Sequence, residues 1–296
     1  MQISKRLLIS LSSFLAHCAN PVAGWDQETF AYKKQCKFPF QKLGLKNDGL
    51  SNNLATGVQQ TVPSNSTTIP RSFGLLVFPS WEIIDVYGPV QVLKNVAQHY
   101  HLNLAIIAET LSPVKPGPRL ASANPFNSSF YPPILPTHTL ETAPDLDVLI
   151  IPGGGGTRTP DLDKLLNYVR TTYPKVKYLI TVCTSSLIAG RAGVLDGKRA
   201  TTNKGAYKQV SDWVPNVKWQ PHARWVVDGN VWTSSGLSAG IDITLEFVEC
   251  IYGEELAARL TEGLELERHT DPRWDPFSDR AVVRTADTLG RRGTFI

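Results

Sequence analysis

The chain of 296 residues is 42% hydrophobic and 19% charged, an ordinary balance for a folded α/β protein with one generous core. Its formal net charge of +4 is spread along the sequence without a Lys/Arg run, so nucleic acid is not the expected partner. No stretch approaches the ~18 consecutive apolar residues of a membrane-spanning helix.

Lys5 and Arg6 precede a largely apolar run over residues 7–16, and Ala19, Ala23 and Gly24 follow. That order is the pattern of a secretory signal peptide over residues 1–24, so secretion is the expected location, with a frayed helix of a cytoplasmic protein as the alternative. Two sequons, at Asn65 and Asn127, would be glycosylation acceptors in a secreted eukaryotic protein. Cys18 falls at the edge of the signal. Cys36, Cys183 and Cys250 show no metal-ligand spacing, so no metal is expected. In an exported protein Cys36 with Cys250 is the bridge to consider, against two unpaired thiols.

Residues 25–71 are polar, without a sustained period, and read as an N-terminal extension. From residue 72 to 255 short apolar runs alternate with helical patterns, which predicts a three-layer α/β sandwich around a mainly parallel sheet. The predicted order is a strand at 74–78, a helix at 90–98 and a strand at 102–108. A Pro-rich hairpin follows, with arms at 119–122 and 137–140. Next come a strand at 147–151, a helix at 162–171, a strand at 178–182 and a small-residue helix at 185–192, capped by Gly193. A hairpin turning at Asp228-Gly229-Asn230 and a helix at 238–251 close the domain. Residues 256–296 form a C-terminal helix and tail, in which Trp274 and Phe277 argue for docking on the domain or on a partner subunit.

Three features carry chemistry. Cys183 stands where a strand meets a helix, a junction whose sharp turn can lift one side chain above the sheet edge. The helix amides from Thr184 onward would lower the thiol pKa; a buried, inert cysteine is the other reading. Pro152-Gly153-Gly154-Gly155-Gly156 ends the neighbouring strand, and the amides of Gly153, Gly154 and Thr184 are candidates to surround a developing anion. Asp85, just after the first strand, is a candidate proton donor if partly buried, or otherwise a helix cap. His138, His222 and His269 are weaker candidates for a general base. Arg158 is a candidate to orient an anionic substrate group, and Asp242 is read as a carboxylate at the start of the closing helix.

The motifs around these residues, in their order, resemble the ThiJ/PfpI family: Asp85-Val-Tyr-Gly88-Pro89, Asp147-Val-Leu-Ile-Ile-Pro-Gly-Gly154, Val182-Cys183-Thr184, Ala192-Gly193-Val-Leu-Asp-Gly197 with Ala200-Thr201-Thr202, and Val231-Trp232-Thr233-Ser234-Ser235-Gly236 with Ala239-Gly240-Ile241-Asp242. The resemblance is to the isonitrile hydratase branch. It implies a flavodoxin-like, glutamine amidotransferase-like fold, a homodimer, and a cofactor-independent cysteine enzyme acting on a small-molecule substrate. Cys183 would be its nucleophile, Asp85 its general acid and Thr184 a third catalytic residue, with Gly153, Gly154 and Thr184 its substrate-binding groups. The alternative is a non-catalytic ligand-binding or redox-responsive protein. Two departures stand out. Thr184 follows the nucleophile where peptidase members carry His, and Asn203-Lys204 stand where many branch members read His-Trp. The tail carries no helix-turn-helix pattern, which disfavours a regulator.

Overall fold

The computed structural model describes residues 69–281. The signal at 1–24, nearly all of the 25–71 extension, Cys18, Cys36, the Asn65 sequon and the end of the tail lie outside the described residues. No described helix is long and apolar enough to cross a membrane.

In chain order the strands are β1 Ser72–Leu76, β2 Asn103–Ala108, β3 His138–Thr139, β4 Val148–Ile151, β5 Tyr178–Thr181, β6 Arg199–Ala200, β7 Lys218–Trp219, β8 Trp225–Asp228 and β9 Val231–Ser234. The helices are α1 Ile83–Val96, α2 Asp163–Thr172, α3 Ser186–Arg191, α4 Tyr207–Trp213, α5 Leu237–Tyr252 and α6 Glu254–Gly263. Seven strands make one sheet in the order β3-β2-β1-β4-β5-β9-β8, and only β8 runs antiparallel to its neighbour. β6 and β7 form a separate parallel pair.

The central strands are buried on both faces, as a parallel sheet wrapped by helices requires. Leu149, Ile151 and Leu179 point into a cluster with Leu165 and Val169 of α2, Leu187 and Ile188 of α3, and Val210 of α4. On the other face Phe247 of α5 meets Tyr178 and Trp232 edge-on, with ring centroids 5.2 and 5.3 Å away. α1 packs on α5 where Gly88 leaves no room for a side chain: a Cβ there would lie 2.9 Å from Ile241. Each fully buried Leu, Ile or Phe in these layers contributes ~1.5–3 kcal/mol over its exposed state. The result is the expected three-layer α/β sandwich, flavodoxin-like, with a mainly parallel sheet.

Three expectations are corrected. The first helix begins at Ile83 instead of 90, because Glu82 is extended and its Oε1 accepts the Ile83 amide at 3.2 Å, capping a helix that continues through Pro89. Pro89 lacks the N–H that would bond the Asp85 carbonyl one turn back. The Pro-rich excursion is not a hairpin with arms at 119–122 and 137–140. It is pinched by an antiparallel bridge between Val114 and Ile134, while His138 and Thr139 join the main sheet as a parallel edge strand beside β2. Asp242 does not open α5 as a dipole partner. The helix starts at Leu237, and Asp242 is buried inside it against Arg224, whose Nε and Nη2 donate to its Oδ2 at 2.8 and 2.6 Å.

The C-terminal segment docks on the domain as expected, but through polar groups, with Trp274 and Phe277 left exposed. The Pro272 carbonyl accepts the Arg224 amide at 2.7 Å, the His269 amide donates to Asp242 Oδ1 at 3.1 Å, and Arg268 bridges Glu246 and Glu249. Asp275 is buried near Lys204 Nζ, 3.7 Å away.

Candidate functional site

The loops after β1, β4 and β5 meet at one end of the sheet, the usual place for a ligand site in a parallel α/β fold. Val182 leaves β5 extended and Cys183 turns sharply with φ +61°, a left-handed conformation that an L-residue adopts at a cost of ~1–2 kcal/mol. The turn is held from behind. Ser185 Oγ donates to Ile151 O at 2.6 Å, and the Cys183 carbonyl accepts from Thr202 Oγ1 at 3.0 Å and from the Asn203 amide at 3.4 Å. Strain overdetermined in this way marks a side chain aimed for use.

Asp85 enters from the first turn of α1. It is fully buried, and its Oδ2 accepts the Gly153 amide at 2.9 Å. Its Oδ1 has no hydrogen-bond partner of ordinary length, while the Cys183 thiol faces the carboxylate. Gly153 is where the three loops converge. A Cβ there would lie 2.8 Å from both Asp85 Oδ2 and Cys183 Cβ, and 2.7 Å from the Thr184 amide nitrogen. Gly154 takes φ +125° and bridges Trp81, and a Cβ on it would strike the Ser80 carbonyl at 2.2 Å. Only glycine fits both demands.

The electrostatics follow from this burial. Desolvation pushes the Asp85 carboxyl up from 3.8 to about 7, with Glu82 adding to the rise and the Gly153 amide and the thiol opposing it. Burial also pushes the Cys183 thiol well above its usual range, and the charge of Asp85 adds to that. The Thr184 amide and the Asn203 side chain pull it the other way without winning. This corrects the expectation that the helix amides hold a ready thiolate: in the resting site the thiol keeps its proton beside a carboxylate able to take it.

A second correction concerns the glycine amides. Those of Gly153 and Gly154 are not free to surround an anion. The first is committed to Asp85, and the second donates to Thr184 Oγ1 at 3.0 Å. Thr157 Oγ1 ties the same hydroxyl in at 3.1 Å, so Thr184 fastens the Gly loop to the elbow through its side chain while its amide serves the sulfur.

The remaining candidates have other occupations. His138 bonds Thr137 on the edge strand, His222 lies exposed in a turn, and His269 stacks on Trp274 at 4.5 Å. Arg158 is exposed at the end of a short turn. Asn127 is exposed with φ +48°. Cys183 is a free thiol, and Cys250 is disulfide-bonded. Among the described residues no three His, Cys, Asp or Glu side chains are grouped to hold a metal ion. Asn203 is the contact that sequence reasoning missed. It drew notice only as the place of an absent histidine, although its Asn-Lys-Gly-Ala setting is that of a capping residue, and the structure places its amide against Cys183.

The chain is 33% identical to the isonitrile hydratase of Pseudomonas putida over 222 residues, which cover 74% of this chain and 88% of that enzyme. It is 28% identical over 135 residues to the HTH-type transcriptional regulator GbdR of Pseudomonas aeruginosa, a match that covers 46% of this chain and 36% of the regulator. Among solved structures, a ThiJ/PfpI family protein from Pseudomonas syringae superposes with a TM-score of 0.59 and 27% identity, covering 78% of this chain and 90% of the other. The sequence profile of the DJ-1/PfpI family matches residues 72–250, and the chain belongs to that family.

Proposed function

We propose that the chain is a cofactor-independent cysteine lyase that hydrates a small isonitrile to an N-substituted formamide. The observation that carries the reading is the Asp85–Cys183 pair: a buried carboxyl with a pKa of about 7 and an oxygen without a partner, facing a protonated thiol on a strained turn. The identity to isonitrile hydratase across most of both chains supports it.

As Cys183 Sγ bonds to the terminal carbon of R–N≡C, its proton passes to Asp85. The carboxyl returns that proton to the same carbon, which leaves the thioimidate R–N=CH–S–Cys183. Water adds across the C=N bond, and expulsion of the sulfur, which regains a proton, releases R–NH–CHO. The sum is one isonitrile and one water for one formamide. Asp85 acts first as base and then as acid, a role matched to a pKa near the working pH.

The test is formamide production from a panel of isonitriles, followed by NMR, with the wild type and Cys183→Ala. Turnover by the wild type alone is the expected result, with kcat/KM rising with pH through about 7 as Asp85 becomes free to accept the thiol proton. A wild type that converts no isonitrile in the panel refutes the reading.

A further inference from the structure

Among the described residues, Asn203 is the side-chain amide brought to the Cys183 sulfur. Its Oδ1 accepts the Ala206 amide at 3.2 Å as the cap of a short turn, so the Nδ2 end is the end left to face Cys183. Gly236 lies beside that end of the side chain: a Cβ on it would sit in ordinary contact, 3.5 Å from Nδ2. The backbone on either side is fixed as well, since the Thr202 hydroxyl and the Asn203 amide both donate to the Cys183 carbonyl. Lys204 follows, with its Nζ buried and bonded to Thr201 Oγ1 at 2.7 Å and to the Ala223 carbonyl at 2.6 Å. Its counter-charge is Asp275 of the docked C-terminal segment, equally buried, whose Oδ2 lies 3.7 Å from Nζ.

We propose that Asn203 is a further catalytic residue, its Nδ2 donating to the Cys183 sulfur as the thiol loses its proton, and that Lys204 and Asp275 are the positioning residues that hold it there. An amide can stabilise the thiolate but has no basic lone pair with which to take the proton, so the proton goes to Asp85. The C-terminal segment thereby becomes part of the active site without touching substrate. The proposal deepens the hydratase reading but rests on it only for the name of the electrophile.

The experiment is the rate of Cys183 alkylation by iodoacetamide against pH in the full chain, with peptide mapping to assign the label. The charged groups facing the sulfur are Asp85 and Glu82, and those around the clamp are Lys204, Asp275 and Arg224. Asn203→Ser keeps an acceptor for the Ala206 amide and loses the Nδ2 donor, while Asn203→Asp keeps both cap and shape. Asn203→Ser is expected to alkylate about 10-fold more slowly than wild type at pH 7.5, with the profile moved to higher pH, the size of one lost charge-assisted hydrogen bond, and Asn203→Asp is expected to be slower still because its carboxylate adds a like charge beside the sulfur. Asp275→Asn should move the profile the same way by less and lower kcat with KM unchanged, and Asp275→Glu should restore it. A wild-type profile in either folded Asn203 variant overturns the catalytic role, and one in Asp275→Asn overturns the clamp. Alkylation needs no isonitrile turnover, so failure of the hydratase reading would leave this result legible on its own.

Discussion

Replacing Asp85 with Asn should cut turnover sharply and at the same time make the protein more stable. The carboxyl rises from 3.8 to about 7 on folding because it is buried with one amide donor and no countercharge. At about 1.4 kcal/mol per pH unit, keeping it ionised costs the fold ~4 kcal/mol at neutral pH. The folded pKa is the higher one, so the stability of the protonated form is complete below about 3.8 and is lost as pH rises through about 7. The substituted amide is neutral, has nearly the same shape and keeps an oxygen for the Gly153 amide. In thermal melts across this range, the Asp85→Asn variant should match wild type near the acid end. The gap should widen as pH rises and level off above about 7, at a gain on the order of 10 °C for a chain of this size. kcat should fall ~100 to 10,000-fold, the usual worth of a general acid-base group. Melting curves that stay parallel from acid to alkaline pH would refute both the burial argument and the proton-transfer role built on it.

Cys183→Gly should be more stable than Cys183→Ala by about 1 kcal/mol in urea denaturation, reversing the usual order, because φ +61° strains alanine and suits glycine; an alanine variant as stable as the glycine one would argue against strain at the elbow. Arg224→Ala strands the buried Asp242 carboxylate and should cost about 3–5 kcal/mol, most of it recovered by Arg224→Met with Asp242→Leu. Calorimetry decides this, and an unchanged Tm in the single variant would count against the pair as an anchor.

The sheet was legible because its strands are short apolar runs between Gly- and Pro-rich punctuation: 147–151 and 178–182 coincide with β4 and β5 to within a residue. Asp85, the Gly loop and Cys183 stand beside such runs, and parallel topology brings the ends of neighbouring strands together, so their meeting could be inferred from order alone. Hydrogen-bond commitments could not. Whether the Gly154 amide faces a ligand or Thr184 depends on a hydroxyl thirty residues away, and the thiol's pKa depends on burial that no local pattern records. Pro89 hid the start of α1, since proline inside a helix is rarer than proline near its first turn. The pairing of Lys204 with Asp275, far apart in the chain, left no trace in either segment.

The strand order imposes a sequence of events on a chain made from its N-terminus. β5 lies between β4, which precedes it, and β9, which is synthesised only after the elbow, α3, α4 and β8. Until residues 231–234 emerge, β5 is an open apolar edge, the kind of surface that recruits strands from other chains. The Thr181 carbonyl waits for Ser234 and the Cys183 carbonyl for Thr202 and Asn203, while Lys204 gains its counter-charge only when Asp275 arrives, later still. The elbow cysteine is therefore made before the groups that enclose it, and a chaperone that holds the nascent chain through this interval would protect both the edge and the thiol.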